Sequence, residues 1–267
     1  MDLTLAQEAL SVASGAAVGF TLGLIGGGGS ILAVPLLFYV VQIGSPHLAI
    51  GTSAIAVAAS AAFGLAGHAR AGTVKWPCAI TFAVSGIIGA AAGATVGKAV
   101  DGKALLALFG VLMILVGLNS LRPRRGGSLP DVRLTLDNAP RMLPLLAATG
   151  LAVGFASGFF GIGGGFLIVP GLVGATAMPI VNAIGSSLVS VTAFGLTTTS
   201  TYALSGMVNW AVAGLFIVGG PIGSFAGMRA ARQLAGRGRA LSLTFSAIVI
   251  TAGIYVTASS LITAHAG

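Results

Sequence analysis

Apolar residues fill almost the whole chain, and the interruptions between them divide it into recurring lengths. Long apolar runs lie near 46–66, 76–98 and 103–121, and again near 179–204, 210–232 and 240–262. A run of about 20 apolar residues crosses a bilayer as a helix. Ahead of each trio comes a first helix (5–25 in the front half), a cluster of glycines, and a shorter apolar piece near 30–43 or 166–177. At about 1.5 Å per residue such a piece reaches only about 20 Å, short of the roughly 30 Å hydrocarbon core. Glycine and proline are poor interior helix residues, so a helix break is predicted at each cluster.

The two clusters are copies of one another. In the first, Gly19-Phe20 leads through Gly23 to Gly26-Gly27-Gly28-Gly29-Ser30 and on to Pro35. In the second, Gly154-Phe155 leads through Gly158 to Gly161-Ile162-Gly163-Gly164-Gly165 and Pro170. The likeness continues beyond them. Ala49-Ile50-Gly51-Thr52-Ser53 matches Ala183-Ile184-Gly185-Ser186-Ser187, and Gly72-Thr73-Val74-Lys75-Trp76 matches Gly206-Met207-Val208-Asn209-Trp210. The offset holds at 134–135 residues throughout, so the chain reads as a duplication, 1–121 and 142–267, joined by the polar linker 122–141. Short hydrophobic segments interrupted by Gly and Pro at corresponding places of two halves point to a transporter's binding site. Pro35 and Pro170 are expected to be structural breaks in those segments.

Composition settles which solvent this pattern belongs to. With 56% hydrophobic residues and 7% charged, the chain lies far from the roughly 25% charged residues of soluble domains. Mean hydropathy is +1.03. Segments of alternating polarity, the mark of a membrane barrel, do not occur. The expected fold class is therefore an all-α integral membrane protein, a polytopic helical bundle. Each of its two repeats would hold a Gly-broken pair with a short helix, plus three long transmembrane helices. Four-residue glycine stripes, such as Gly89/Gly93/Gly97 and Gly219/Gly223/Gly227, are expected at close helix contacts.

Charge adds orientation. The net charge of +8 comes from short loops and the linker rather than from a basic patch, so no nucleic-acid partner is expected. Placing Arg122, Arg124, Arg125, Arg133 and Arg141 of the linker in the cytoplasm, an odd number of crossings per half puts the Arg229/Arg232/Arg237/Arg239 loop and the Arg70/Lys75 loop inside as well. An even number would turn four arginines outward. The odd count satisfies the positive-inside rule better and makes the repeats inverted, leaving Lys98 and Lys103 outside. Trp76 and Trp210 are expected at the water interface. The N-terminal stretch has no basic region and carries Asp2 and Glu8, so 5–25 reads as a retained helix. One cysteine, Cys78, excludes disulfides within the chain and Cys-based metal sites; no cofactor or metal is expected.

A broken helix in a bilayer exposes N–H groups and a positive dipole end, which suit an anion. Helices beginning at Ser30 and Gly165 would present such ends, and Gly26, Gly28, Gly29, Gly161, Gly163 and Gly164 would let a ligand reach the backbone. The alternative is that these glycines only permit a tight turn and close packing. All five acids, Asp2, Glu8, Asp101, Asp131 and Asp137, lie at a terminus, in loops or in the linker, which favours an anion over a cation. His47, Thr52 and Ser53, matched by Asn182, Ser186 and Ser187, follow the breaks. They read either as donors to an oxyanion or as caps and interhelical hydrogen bonds. Ala156-Ser157-Gly158 invites comparison with an intramembrane protease, but Leu22 stands where the other copy has Ser157. Gly161–Gly165 lacks the Lys-Ser/Thr ending of a phosphate-binding loop.

The paired motif, Gly-Phe-x-x-Gly-x-x-Gly-x-Gly-Gly-Ser/Gly-x-Leu-x-Val-Pro, resembles that of the TauE/SafE-type sulfite exporter family of bacterial and archaeal membrane proteins. With it go the Gly-Thr/Ser-Ser starts and Gly-x-Val-x-Trp loops in both halves. The resemblance implies a multi-pass protein of the cytoplasmic membrane that exports sulfite, sulfoacetate or related organosulfonates and is not an enzyme. It points at Gly26, Gly28, Gly29 and Pro35, and at Gly161, Gly163, Gly164 and Pro170. Ser30 against Gly165 is a departure between the copies, so unequal half-sites are expected. The alternatives are an anion channel and an intramembrane hydrolase. The partners expected are a small anion and the lipid bilayer; a homo-oligomer is compatible, and no coupling ion is named by the residues.

Overall fold

The computed structural model describes residues 3–25, 27–121, 138–233 and 238–265. Gly26, linker residues 122–137, Arg237, Asp2, Asp131 and Asp137 lie outside the described residues. Among those described, every regular element is helical. The first repeat runs α1 (Leu5–Ile25), α2 (Ala33–Pro35), α3 (Pro46–Arg70), α4 (Trp76–Ala99) and α5 (Gly102–Leu121). The second runs α6 (Ala139–Phe160), α7 (Gly165–Thr176), α8 (Ile180–Ala203), α9 (Trp210–Gln233) and α10 (Gly238–His265). Six of these, namely α3, α4, α5, α6, α8 and Trp210–Gly227 of α9, are long and apolar enough to cross a membrane.

Local chemistry explains the boundaries. Ser45 caps α3 by accepting from the Leu48 N–H at 3.2 Å, and Pro46 occupies the first position, where its missing N–H costs nothing. The short piece of the first repeat is not one α-helix. It is a 3-10 segment, Gly27–Leu32, then the single turn α2, then a π segment, Leu36–Val40. Pro35 stands where the α turn gives way to the wider π turn. Pro170 differs from expectation: α7 passes through it unbroken, forgoing the one hydrogen bond a proline cannot donate.

Glycine backbones set the helix pairs. Along α1 and α9, Gly15 meets Phe216, Gly19 meets Gly220, and Gly227 meets Phe20 and Leu24, so the two run parallel. The repeat-equivalent pair, α6 and α4, does the same: Gly154 meets Gly86, Gly158 meets Ala90, and Gly97 meets Phe159. Helices α3 and α8 instead pack antiparallel, Gly51 against Tyr202, Gly195 against Ala54 and Ala58, and Gly185 against Thr73. So do α5 and α10, with Gly110 against Gly253 and Gly117 against Ser246 and Ile250. Exchanging the halves leaves this pairing unchanged, a two-fold relation between the repeats.

The same contacts fix the course of the chain. Met207 lies against Gly51 and Gly220 against Ser60, so α9 parallels α3 as well as α1. Helices α1 and α3 therefore point the same way, and the segment between them carries the chain back. By exchange, α6, α4 and α8 share the opposite direction, and α7 with its glycine turn is the return. Trp76 and Trp210, both exposed, open α4 and α9 at opposite ends of the bundle. The outer faces are apolar, with Phe63, Ile88, Leu115, Ile222 and Ile254 exposed. In water that would be an aggregation surface; in lipid it is the expected coat.

At Gly93 a Cβ would run into the Phe155 carbonyl, which is backbone and cannot swing aside. Gly93→Leu is expected to destabilise the detergent-solubilised protein by about 1–3 kcal/mol or more. Gly214→Ala, with nothing within 4 Å, should leave the melting temperature unchanged or raised. Thermal unfolding followed by size-exclusion chromatography checks both.

Candidate functional site

The second break is a compact left-handed turn. Gly161 (φ 65°), Gly163 (φ 65°) and Gly164 (φ 68°) adopt backbone angles that side-chain-bearing residues avoid. Space makes the same demand. A Cβ on Gly163 would lie 2.8 Å from Val57 Cγ1 and 3.2 Å from Val191 Cγ1, and one on Gly164 would lie 2.9 Å from Ser157 Oγ. Val57 and Val191 are repeat-equivalent, and each lies midway along its helix, α3 or α8. Gly163 is therefore wedged between the middles of α3 and α8.

Hydrogen bonds account for much of the freed backbone. Ser53 Oγ, on α3, lies 2.9 Å from the Ile50 carbonyl and 3.3 Å from the Gly161 carbonyl and donates there, so the opposite repeat braces the turn. Ile162 N–H donates to the Ser157 carbonyl at 3.2 Å, and Leu167 and Ile168 N–H both donate to the Gly164 carbonyl at 2.9 Å. Gly165 and Phe166 occupy the first turn of α7, whose N–H groups have no acceptor within the helix. The positive end of the α7 dipole thus opens at mid-bundle.

The first break is built differently. Gly28, Gly29 and Ser30 lie inside the 3-10 segment, so no helix starts at Ser30 as expected; its fully buried side chain is part of a turn already begun at Gly27. Gly29 packs on Thr21 and Leu22. The Thr21 hydroxyl is within reach of the carbonyls of Val18 at 2.9 Å, Ala17 at 3.2 Å and Gly29 at 3.4 Å, which occupies its only proton. The 3-10 segment touches α7, so the two breaks meet.

The polar residues that follow the breaks separate into distinct places. Thr52 Oγ1 accepts from the Asn209 N–H at 3.0 Å, and Ser186 Oγ accepts from the Lys75 N–H at 2.9 Å. These are the same contact repeated by the two-fold, each tying one repeat's helix to the loop that opens a helix of the other. Asn182 Nδ2 donates to the Thr73 carbonyl at 2.8 Å, and the Ser187 hydroxyl to the Ile184 carbonyl of its own helix at 2.8 Å. His47 Nε2 faces the carbonyls of Gly97 at 3.3 Å and Val100 at 3.2 Å, at the far end of α4, which places a proton on Nε2. Lys98, the cation that sat poorly with loop charge, donates to the Thr201 carbonyl at 3.0 Å and Ser205 Oγ at 2.8 Å, closing the C-terminal end of α8.

Sequence reasoning missed another polar set. Among the described residues, Ser157, Ser190, Thr198, Thr199, Tyr202 and Ser246 carry buried hydroxyls with no hydrogen-bond partner, and these six belong to the second repeat. Repeat-equivalent positions in the first are Leu22, Ala56, Gly64, Leu65, His68 and Leu112, so aligning the halves for polarity differences would have found them. Because Ser157 Oγ has no partner, no base is placed to activate it as a nucleophile.

Thr52→Val and Ser186→Ala should each strand a backbone N–H and cost about 1–3 kcal/mol. Melting curves should show similar losses for the two, as the two-fold requires.

Comparison with known proteins places the chain among membrane transporters. A protein of Xylella fastidiosa named as a probable membrane transporter protein is 48% identical over 254 residues, covering 95% of this chain and 96% of the relative. The probable membrane transporter protein YunE of Bacillus subtilis is 28% identical over 240 residues, covering 84% and 88%. A probable membrane transporter protein of Methanocaldococcus jannaschii is 27% identical over 180 residues, 64% of each chain. No solved structure matches. The family described as sulfite exporter TauE/SafE matches residues 11–256, and with a match of that extent the chain belongs to this family of membrane transporters rather than to any class of enzyme.

Proposed function

We propose that the protein exports small sulfur-containing oxyanions, sulfite or organosulfonates such as sulfoacetate, across the cytoplasmic membrane of a prokaryote. The observation that carries this reading is the position of Gly163 between Val57 and Val191. It puts the N-terminal end of α7 on the axis relating the halves, where the breaks meet and where a single ligand could be handed from one side to the other. Transport proceeds by alternating access, one repeat rocking against the other around that point.

The antiparallel packing of α3 with α8 and of α5 with α10 supports inverted repeats. Helix directions place the Arg70/Lys75 loop and the Arg229 end of α9 at the end where α6 begins. The Ser205–Asn209 loop and the start of α1 lie at the other. The positive-inside rule assigns the arginine-bearing end, and the linker with it, to the cytoplasm. The family's printed description names sulfite exporters, which favours sulfur oxyanions over other small anions.

In proteoliposomes, uptake of labelled sulfite is expected to saturate, and unlabelled sulfite loaded on the far side is expected to accelerate it. Flux that stays linear without counterflow would mark a channel and sink alternating access. Absence of any sulfite or sulfoacetate movement would sink the substrate class. Orientation is checked in a Cys78→Ala background: a membrane-impermeant maleimide on intact cells should label Ser205→Cys and not Ala71→Cys.

A further inference from the structure

The two breaks differ in what they offer a ligand. Helix α7 is a 12-residue α-helix whose first N–H groups open at the bundle centre, whereas the corresponding piece of the first repeat is divided among 3-10, α and π turns. Beside the α7 end, Ser157 is fully buried, its hydroxyl has no partner, and its Oγ lies 2.9 Å from where a Gly164 Cβ would be. Leu22 takes its place in the first repeat, and the neighbouring hydroxyl, Thr21, is committed to carbonyls. A buried hydroxyl left without a partner is costly where water is scarce, and alanine at that position would remove the cost. A donor without a partner beside a positive helix end is accounted for by an acceptor that arrives with negative charge.

We propose that the anion is bound one-sidedly, on the second repeat. Ser157 Oγ–H and the N–H groups of Gly165 and Phe166 donate to adjacent oxygens of one oxyanion pole, as in sulfite or a sulfonate head group. The first break forms the opposing wall and supplies packing rather than donors. This inference rests on the anion-transport reading above and narrows it to particular atoms.

Full-length protein in detergent, titrated with sulfite and with sulfoacetate by calorimetry, provides the test. Ser157→Ala should weaken sulfite binding about tenfold, the loss of one hydrogen bond to a charged group. Its ligand-free melting temperature should be unchanged or raised, because an unsatisfied hydroxyl has gone. Thr21→Val should alter affinity less than about twofold, as its hydroxyl already serves the backbone. Wild-type protein that binds neither anion overturns the transport reading itself. Wild-type binding with Ser157→Ala unaffected overturns only the one-sided site. So does a Ser157→Ala protein that loses binding together with several degrees of ligand-free stability, or a Thr21→Val protein weakened as much as Ser157→Ala.

Discussion

A helix interrupted inside a bilayer leaves backbone groups that neither water nor lipid can satisfy, and this constraint organises the protein. Here the remedy comes from the other repeat. Ser53 on α3 braces the Gly161 carbonyl of the second break, while Thr52 and Ser186 accept the N–H groups that open α9 and α4. Each half is thus incomplete alone: its turns and helix starts are finished by side chains that the duplicated partner contributes. The central position of α3 and α8, the most buried of the six membrane-length helices, follows from this. They are the elements both halves need to reach.

Such bracing works only if the helices come close enough, and glycine provides that approach. The parallel pairs α1/α9 and α4/α6 bring backbone against backbone along their stripes, at positions where a Cβ would meet a carbonyl oxygen. Close contact compensates for the lack of a hydrophobic driving force between helices in lipid. The same residue type does different work at the second break, where Gly161, Gly163 and Gly164 also need left-handed backbone angles. Packing them this tightly is what puts the α7 end at the bundle centre.

Much of this was legible in the residues, because duplication, length and charge are linear signals. The repeat offset and the long apolar helices could both be read along the chain. Other features depend on partners remote in sequence. Thr52 and Asn209 are 157 residues apart, and Ser186 and Lys75 are 111 apart, so no local pattern separates an inter-repeat tie from a ligand donor. Lys98 looked misplaced by loop charge because its acceptors, Thr201 and Ser205, lie on another helix. The mixed 3-10 and π winding around Pro35, against the unbroken α7 around Pro170, was hidden because both segments share one residue pattern.

Duplication gives two related scaffolds, yet they do not carry the same polar groups. The ties that keep the halves together recur in both, as Thr52 and Ser186 do, because losing either would leave a backbone group stranded. Among the described residues, the six hydroxyls without partners all fall in the second repeat, opposite leucine, alanine, glycine or histidine in the first. Structural hydrogen bonding therefore obeys the two-fold while unspent hydrogen-bonding capacity breaks it.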